Sequence, residues 1–241
     1  MIKISVVIPV FNEEKRLPKT FSALNALSRD PFFSGAEIIF VDDGSMDGTK
    51  KLIENFRSDI NVKLVSCEKN RGKGFAVRRG MLEANNDYAL FLDADMSTPL
   101  GELKKFAPFM EQGAHVIIGT RKAAGARILK HQPFLRQKMG EVYTALANLA
   151  TGARVSDFTC GFKCFSMEAI HKIFPYARID RWSYDAEILY LARLCNLKIH
   201  EVPVLWTNDE DSRVRLGKDA LQSFTDLLKI RLNKYPGNKT A

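Results

Sequence analysis

The chain has 241 residues, is 46% hydrophobic and 27% charged, and carries a formal net charge of +8. That length can bury about 70% of the surface an unfolded chain exposes, and the composition excludes a disordered or collagen-like chain. The longest uncharged central stretch, Val142 to Ala153, is too short and too polar to cross a bilayer, and Met1 runs straight into Lys3 and an apolar strand rather than a signal peptide.

ISVVIPV (Ile4 to Val10) reads as a buried strand, followed by a helix over 14–28. EIIFV (37–41), VKLVS (62–66), YALFL (88–92) and HVIIG (115–119) read as further strands. Helices are expected over 47–56, 73–84 and, with Thr98 as N-cap and Pro99 as first helical residue, up to 111. Strands alternating with helices predict an α/β fold, with a mostly parallel sheet flanked by helices. In the second half, Leu135, Met139, Val142, Leu146 and Leu149 recur at helical spacing and read as a core-facing helix. A strand is expected over 161–165, a helix over 185–195, and an extended strand over 198–206 interrupted by Pro203. From Leu216 onward, Ala220, Phe224, Leu227 and Leu228 mark an amphipathic helix before a polar tail. The expected division is therefore 1–207 as one domain, split near 120, with 208–241 as a basic helix and tail.

The four cysteines form no C-x-x-C pair and the four histidines show no metal-ligand spacing, so zinc is not expected and the thiols read as reduced. The positive charge favours anionic partners. It is concentrated between Arg121 and Lys138, where six basic residues occur with no acidic one.

Ligands of open α/β sheets bind beyond the carboxyl ends of the strands. Phe11-Asn12-Glu13, Asp42-Asp43-Gly44-Ser45 and Asp93-Ala94-Asp95 stand there. The Asp93/Asp95 pair directly follows an apolar strand, where a turn can aim two carboxylates at one hard cation, Mg²⁺ or Mn²⁺. Helix capping is the structural alternative. A second D-x-D, Asp209-Glu210-Asp211, lies in a polar stretch and reads as a solvated loop. One of Asp42 and Asp43 suits a nucleobase N–H, while the other suits holding the turn. Asn70-Arg71-Gly72-Lys73-Gly74 lacks the P-loop spacing and reads as a tight helix entry, with Arg71 or Lys73 close to a nucleotide. Asp185 and Glu187 point roughly 200° apart on a helix, so one alone can face a site, and Asp185 is favoured.

Taken in order, SVVIPVFNEE, VDDGSMDGT, NRGKGFAVRRG and FLDADMSTP resemble the family 2 glycosyltransferases of GT-A fold. In the second half, GTR (119–121), DFTCGFKCF (157–165) and DRWSYDAEILY (180–190) resemble the dolichyl-phosphate β-glucosyltransferases and their prokaryotic polyprenyl-phosphate relatives. The resemblance runs from about Ile4 to Arg215. It departs from the family at two points. Ser97 stands where dolichyl-phosphate mannose synthases carry Gln, and a counterpart of the N-terminal anchor of the eukaryotic glucosyltransferases is not expected.

The resemblance implies that Pro9, Phe11, Glu13, Val41 and Asp43 line the nucleoside pocket. It implies that Asp93, Ala94 and Asp95 meet the sugar nucleotide and the metal, with Asp95 the direct ligand. Arg121, Arg136, Lys163 and Arg213 or Arg215 are expected to hold phosphates, and Asp185 to face the reaction centre. The expected activity is inverting transfer of a hexose, glucose from UDP-glucose being favoured, onto a polyprenyl phosphate. The enzyme would sit peripherally on the cytoplasmic face of an anionic membrane. Alternatives are GDP-mannose or UDP-N-acetylhexosamine as donor, a soluble sugar acceptor, or a silent lipid- or nucleotide-binding module. Nucleic acid is not expected, since no helix-turn-helix or aromatic RNA-binding strand motif occurs.

Overall fold

A computed structural model describes residues 2–209 and 218–235. In chain order its strands are β1 (Ile4–Val10), β2 (Glu37–Asp42), β3 (Asn61–Ser66), β4 (Tyr88–Leu92), β5 (Val116–Thr120), β6 (Arg127–Lys130), β7 (Phe162–Ser166), β8 (Ile199–Pro203) and β9 (Leu205–Thr207). The helices are α1 (Leu17–Leu27), α2 (Thr49–Asn55), α3 (Lys73–Leu82), α4 (Ala107–Glu111), α5 (Phe134–Thr151), α6 (Met167–Ile173), α7 (Tyr184–Leu194) and α8 (Lys218–Leu232).

Seven strands make one sheet in the order β3-β2-β1-β4-β7-β5-β8, with β6 and β9 paired separately. The apolar runs of β1, β2 and β4 pair in parallel, as strands buried on both faces do. Val7, Ile39 and Phe91 face one core cluster, while Ile8, Phe40 and Leu90 face the other. The exception is β7, which inserts antiparallel between β4 and β5. Because it runs backwards, the loop preceding it (157–161) arrives at the same sheet edge as the carboxyl ends of β1, β2, β4 and β5. One reversed strand thus delivers a second set of residues to the site. β8, parallel to β5, brings the chain back to that edge, where Thr207 N donates to Ser97 O.

Two expectations are corrected. The helix expected over 99–111 is a 3₁₀ segment, Leu100–Phe106, followed by the short α4. Pro108 is the reason: it has no N–H for the carbonyl four residues back, so it is accommodated only in the first turn of a new helix. The stripe on α5 does not face the core. Leu135 is 62% exposed, Val142 54% and Leu149 84%, whereas Thr144, Ala147 and Thr151 on the other side are buried. A periodic apolar stripe shows that a helix has two faces; it does not show which face the protein covers.

α8 packs against α5 and α7. Leu227, Ile230 and Tyr235 join the core cluster, while Leu221, Leu228 and Leu232 stay exposed. Among the described residues no helix is long and apolar enough to cross a membrane.

Candidate active site

The first wall is built from two interlaced turns. Asn12, at φ +52°, lies in a left-handed conformation after β1. Its N–H donates to Ser45 Oγ at 2.8 Å, and its Oδ1 accepts from Met46 N at 2.8 Å. Glu14 accepts from Gly48 N, and Glu13 N donates to Thr49 Oγ1. These bonds join the FNEE and DDGSMDGT segments into one surface with Pro9, Phe11 and Glu13 half-buried on it.

Both aspartates of the β2 turn are engaged internally. Asp42 Oδ1 accepts from Ser45 N at 3.0 Å. The Asp43 carboxylate accepts from Asn70 Nδ2, Arg71 N and Gly72 N, clamping the NRG turn to β2. Burial pushes the Asp43 carboxyl above its ordinary value against these bonds. Val41, expected in the nucleoside pocket, is fully buried and packs where α3 crosses at Gly80. A Cβ on Gly80 would run into Val7 and Val41. The Val41 side chain is therefore core, and only its backbone can border a ligand.

Asp93 and Asp95 extend from β4. Thr20 Oγ1 donates to Ala94 O at 2.6 Å and ties the turn to α1, and Met96 takes φ +53°. Gly161 of the reversed loop packs against the Asp93 carboxylate, where a Cβ would collide with it. Lys73 pairs with Asp93, and Arg71 turns outward to Asp180 at 2.9 Å. Of the two basic residues proposed for the nucleotide, Lys73 is therefore the one brought in. Burial opposes its charge, but Asp93 and Asp185 outweigh that and hold its pKa above the ordinary value. Asp93 Oδ1, the buried atom that holds this ion pair, makes no further hydrogen bond with the described residues.

Asp95 makes no ion pair with the described residues; its Oδ1 accepts from Ser97 N at 2.8 Å. Burial, and then Asp93 beside it, push its carboxyl pKa up. No group of three or more His, Cys, Asp or Glu converges among the described residues. The fit is therefore to a hard divalent ion held by one or two carboxylates, with phosphate oxygens and water completing its shell, as Mg²⁺ prefers.

The opposite wall is basic. Arg121, just after β5, forms a two-pronged pair with buried Asp157: Nε to Oδ2 at 2.7 Å and Nη2 to Oδ1 at 2.8 Å. Its Nη2 also donates to Thr159 Oγ1. Only Nη1 remains unpaired among the described residues. Burial opposes the charge on each member, but the pairing wins: Arg121 is held above its usual range and Asp157 well below the carboxylate range. Arg136 is half-buried on α5 and makes no ion pair or hydrogen bond with the described residues. Burial, then Arg121, lower its pKa, while Asp95 pulls the other way. Arg136, Lys130 and Asp209 border a cavity of about 360 Å³.

Lys163 does not line this wall. It is fully buried and directs its ammonium to Phe158 O at 2.8 Å, Cys160 O at 2.6 Å and Asp185 Oδ1 at 2.5 Å. The phosphate contact expected of it is corrected: with three donors used on three acceptors, it braces the 157–161 loop against α7. Asp185 does face inward toward Lys163 and Lys73, although burial raises its pKa. Glu187 points away, accepting from Arg178 N, Ile179 N and Tyr235 Oη, which makes it the anchor of the preceding loop.

Asp209 is no solvated loop residue. It pairs with Arg16 at 3.0 Å and closes the C-terminal return over the β1 turn. Glu210, Asp211, Arg213 and Arg215 lie outside the described residues. Asp157 carried no site role in the sequence reading, although its position at the head of DFTCGFKCF was the available signal. Arg16 gave no signal at all.

The structure resembles solved glycosyltransferases. Glucosyl-3-phosphoglycerate synthase of M. tuberculosis superposes with TM-score 0.70 at 20% identity, over 98% of this chain and 82% of that one. The same enzyme in complex with Mn²⁺, UDP and glucosyl-3-phosphoglycerate gives TM-score 0.69 at 20% identity, with the same coverage. In sequence, the dolichyl-phosphate beta-glucosyltransferase of Dictyostelium discoideum is 33% identical over 98% of this chain and 76% of its own length. The human protein of that name is 34% identical, with the same two coverages. The profile of glycosyl transferase family 2 matches residues 5–174, a span holding both turns of the first wall, the Asp93/Asp95 pair, Arg121, Arg136 and the reversed loop. On that match and those identities, the chain belongs to glycosyl transferase family 2.

Proposed function

We propose that this enzyme transfers glucose from UDP-glucose to the phosphate of a polyprenyl lipid, with inversion at the anomeric carbon. The observation that carries the reading is the similarity to dolichyl-phosphate beta-glucosyltransferases over 98% of the chain. In the reaction a phosphate oxygen of the lipid forms the new bond to the anomeric carbon as the bond to UDP breaks.

The site chemistry supports such an acceptor. A phosphate monoester has its second pKa at about 6, so it attacks as a dianion at neutral pH and needs no base. Asp185, bound to Lys163 and buried, is correspondingly not presented as a base. Two anions must approach one another, and the unpaired guanidinium of Arg136, with Nη1 of Arg121, is suited to offset their repulsion. Asp95, beside Asp93, would hold Mg²⁺ or Mn²⁺, which when bound supplies positive charge to the departing diphosphate. The half-buried Phe11 and Glu13 surface would receive the uridine.

The surface supports a membrane-bound acceptor. α5 exposes Phe134 (74%) and Leu149 (84%), and α8 exposes Leu228 and Leu232. The exposed basic residues of the 121–138 run, which also holds Phe134, suit an anionic bilayer surface, where each nearby Lys or Arg contributes about 1 kcal/mol. Residues 1–207 would form the catalytic unit and 208–241 a segment on the membrane side, at the cytoplasmic face. The test is a donor panel with purified protein, Mg²⁺ or Mn²⁺ and a polyprenyl phosphate. Transfer from UDP-glucose in preference to GDP-mannose and UDP-N-acetylglucosamine is expected. Transfer to free sugars and none to the lipid would overturn the assignment.

A further inference from the structure

Trp206 is the one buried residue of the β6–β9 ribbon, at 8% exposure. Yet among the described buried apolar residues it alone joins neither of the two core clusters. A side chain this large, buried outside a core, calls for another partner. The structure supplies one: the Arg121 guanidinium carbon lies over the Trp206 ring, 5.1 Å from its centre. That is within reach of the attraction between a cation and an aromatic face, which is strongest for tryptophan. A guanidinium is also more weakly hydrated than an ammonium, so a ring against it displaces little bound water.

The ring supplies a restraint that Asp157 cannot. The parallel bonds from Nε and Nη2 hold the guanidinium to the carboxylate as a fork. They leave a hinge along the line of the two carboxylate oxygens, and tilting about it swings Nη1, the nitrogen farthest from that line, through the widest arc. A ring beneath the guanidinium carbon blocks this tilt on its side. The strand that carries the ring is itself tied to the turn of Asp95: Thr207 N donates to Ser97 O, and Ser97 N donates to Asp95 Oδ1. On the other side of Trp206, Leu205 N donates to Glu102 Oε2. Successive residues of β9 therefore hold Arg121 and the Asp95 turn in one register. We propose that Trp206 is a positioning residue whose ring keeps Nη1 of Arg121 aimed at a phosphate of the reacting pair, a role that rests on the phosphate reading of Arg121 above.

The test is a double-mutant cycle on glucose transfer to polyprenyl phosphate by the full chain, assayed well below the melting temperature of each protein. It compares wild type, Trp206→Leu, Arg121→Lys and the two combined, with Trp206→Phe beside them. Trp206→Leu removes the ring and should lower kcat/KM about ten- to a hundredfold, the scale of a charged group displaced beside reacting atoms. Trp206→Phe keeps an aromatic face and should stay within about fivefold of wild type. Arg121→Lys keeps a charge for Asp157 but has no fork to aim, so adding Trp206→Leu to it should cost less than about twofold in kcat/KM. A tryptophan that only fills space would cost the same in both backgrounds. Equal losses there would overturn the inference. So would a Trp206→Phe as slow as Trp206→Leu, or a Trp206→Leu within about twofold of wild type. Should Arg121→Lys be too slow to assay, the comparison of Phe with Leu at 206 decides alone. If wild type glucosylates a free sugar and no lipid, the acceptor reading fails, and the same cycle on that sugar decides Trp206. If the lipid is glucosylated and the two losses simply multiply, the acceptor reading stands and the Trp206 assignment falls.

Discussion

Replacing Lys163 by methionine separates two roles that a lysine in this motif could have. The side chain is fully buried, and its ammonium holds two backbone carbonyls and the Asp185 carboxylate. Methionine keeps most of the volume and removes every one of these bonds. Asp185 would then be left in the interior with only Lys73 as a compensating charge nearby. Breaking a buried pair from one side costs about 3–5 kcal/mol, and at about 2–4 °C per kcal/mol for a chain of this size Lys163→Met should melt about 6–20 °C lower. Asp185→Asn on the same background removes the stranded charge and should recover at least half of the loss, since the cost lies in the unpaired carboxylate rather than in the missing attraction. Scanning calorimetry of wild type, both single variants and the double variant gives the cycle directly. A Lys163→Met protein that melts within about 2 °C of wild type but needs tenfold more lipid phosphate would refute the bracing role and return Lys163 to the phosphate site.

Asp95→Ala should abolish the metal dependence of UDP binding by calorimetry, whereas unchanged affinity and unchanged metal dependence would remove Asp95 from the ligand set. Arg136→Ala should lose most transfer while Asp185→Asn keeps measurable activity; a 10²- to 10⁴-fold loss in the latter, with fold intact, is the size expected of general-base assistance and would point to a hydroxyl acceptor. Binding to anionic vesicles should weaken with salt, as the screening length falls from about 10 Å at 0.1 M to about 3 Å at 1 M. Phe134→Ser with Leu149→Ser should weaken it further at unchanged melting temperature, both side chains being exposed, and sedimentation checks both effects. Asp157 ionises more readily folded than unfolded because Arg121 outweighs its burial, so its contribution is present above about pH 4 and lost as pH falls through the folded value. The stability gap between wild type and Asp157→Asn should therefore shrink below about pH 4 in denaturant titrations.

The legible parts of the fold were those set by local pattern. β1, β2 and β4 are continuous apolar runs, and each ends in the polar turn that carries the site, so strand ends and candidate ligands could be read together. The antiparallel entry of β7 could not be read, because FKCFS has the same pattern whichever way it pairs. With that reversal went the positions of Asp157, Gly161 and Lys163. Lys163 was read as a phosphate cation because a lysine in an apolar strand has no local partner; Asp185 lies 22 residues away, and only the sheet register brings the two together. The outward face of α5 was misread for a related reason. Period gives a helix its stripe, whereas the neighbours that cover one side come from α7 and α8, elsewhere in the chain.

The charges at the site follow a simple division. After β4, Lys73 offsets Asp93, while Asp95 makes no ion pair with the described residues. On the opposite wall, Asp157 takes up Nε and Nη2 of Arg121, while Arg136 has no acidic partner among them. In each pair one member is committed to the protein, and burial alone accounts for why it must be: an uncompensated charge at that depth would be expelled or neutralised. The other member makes no ion pair with the described residues. An unspent carboxylate and an unspent guanidinium are the complement of a metal-bound diphosphate and a phosphate nucleophile. Burial first, and then the like charge beside each, Asp93 or Arg121, shift Asp95 and Arg136 in pKa toward neutrality. Binding both substrates would relieve that strain at the two positions together, so the free site is electrostatically prepared for the filled one.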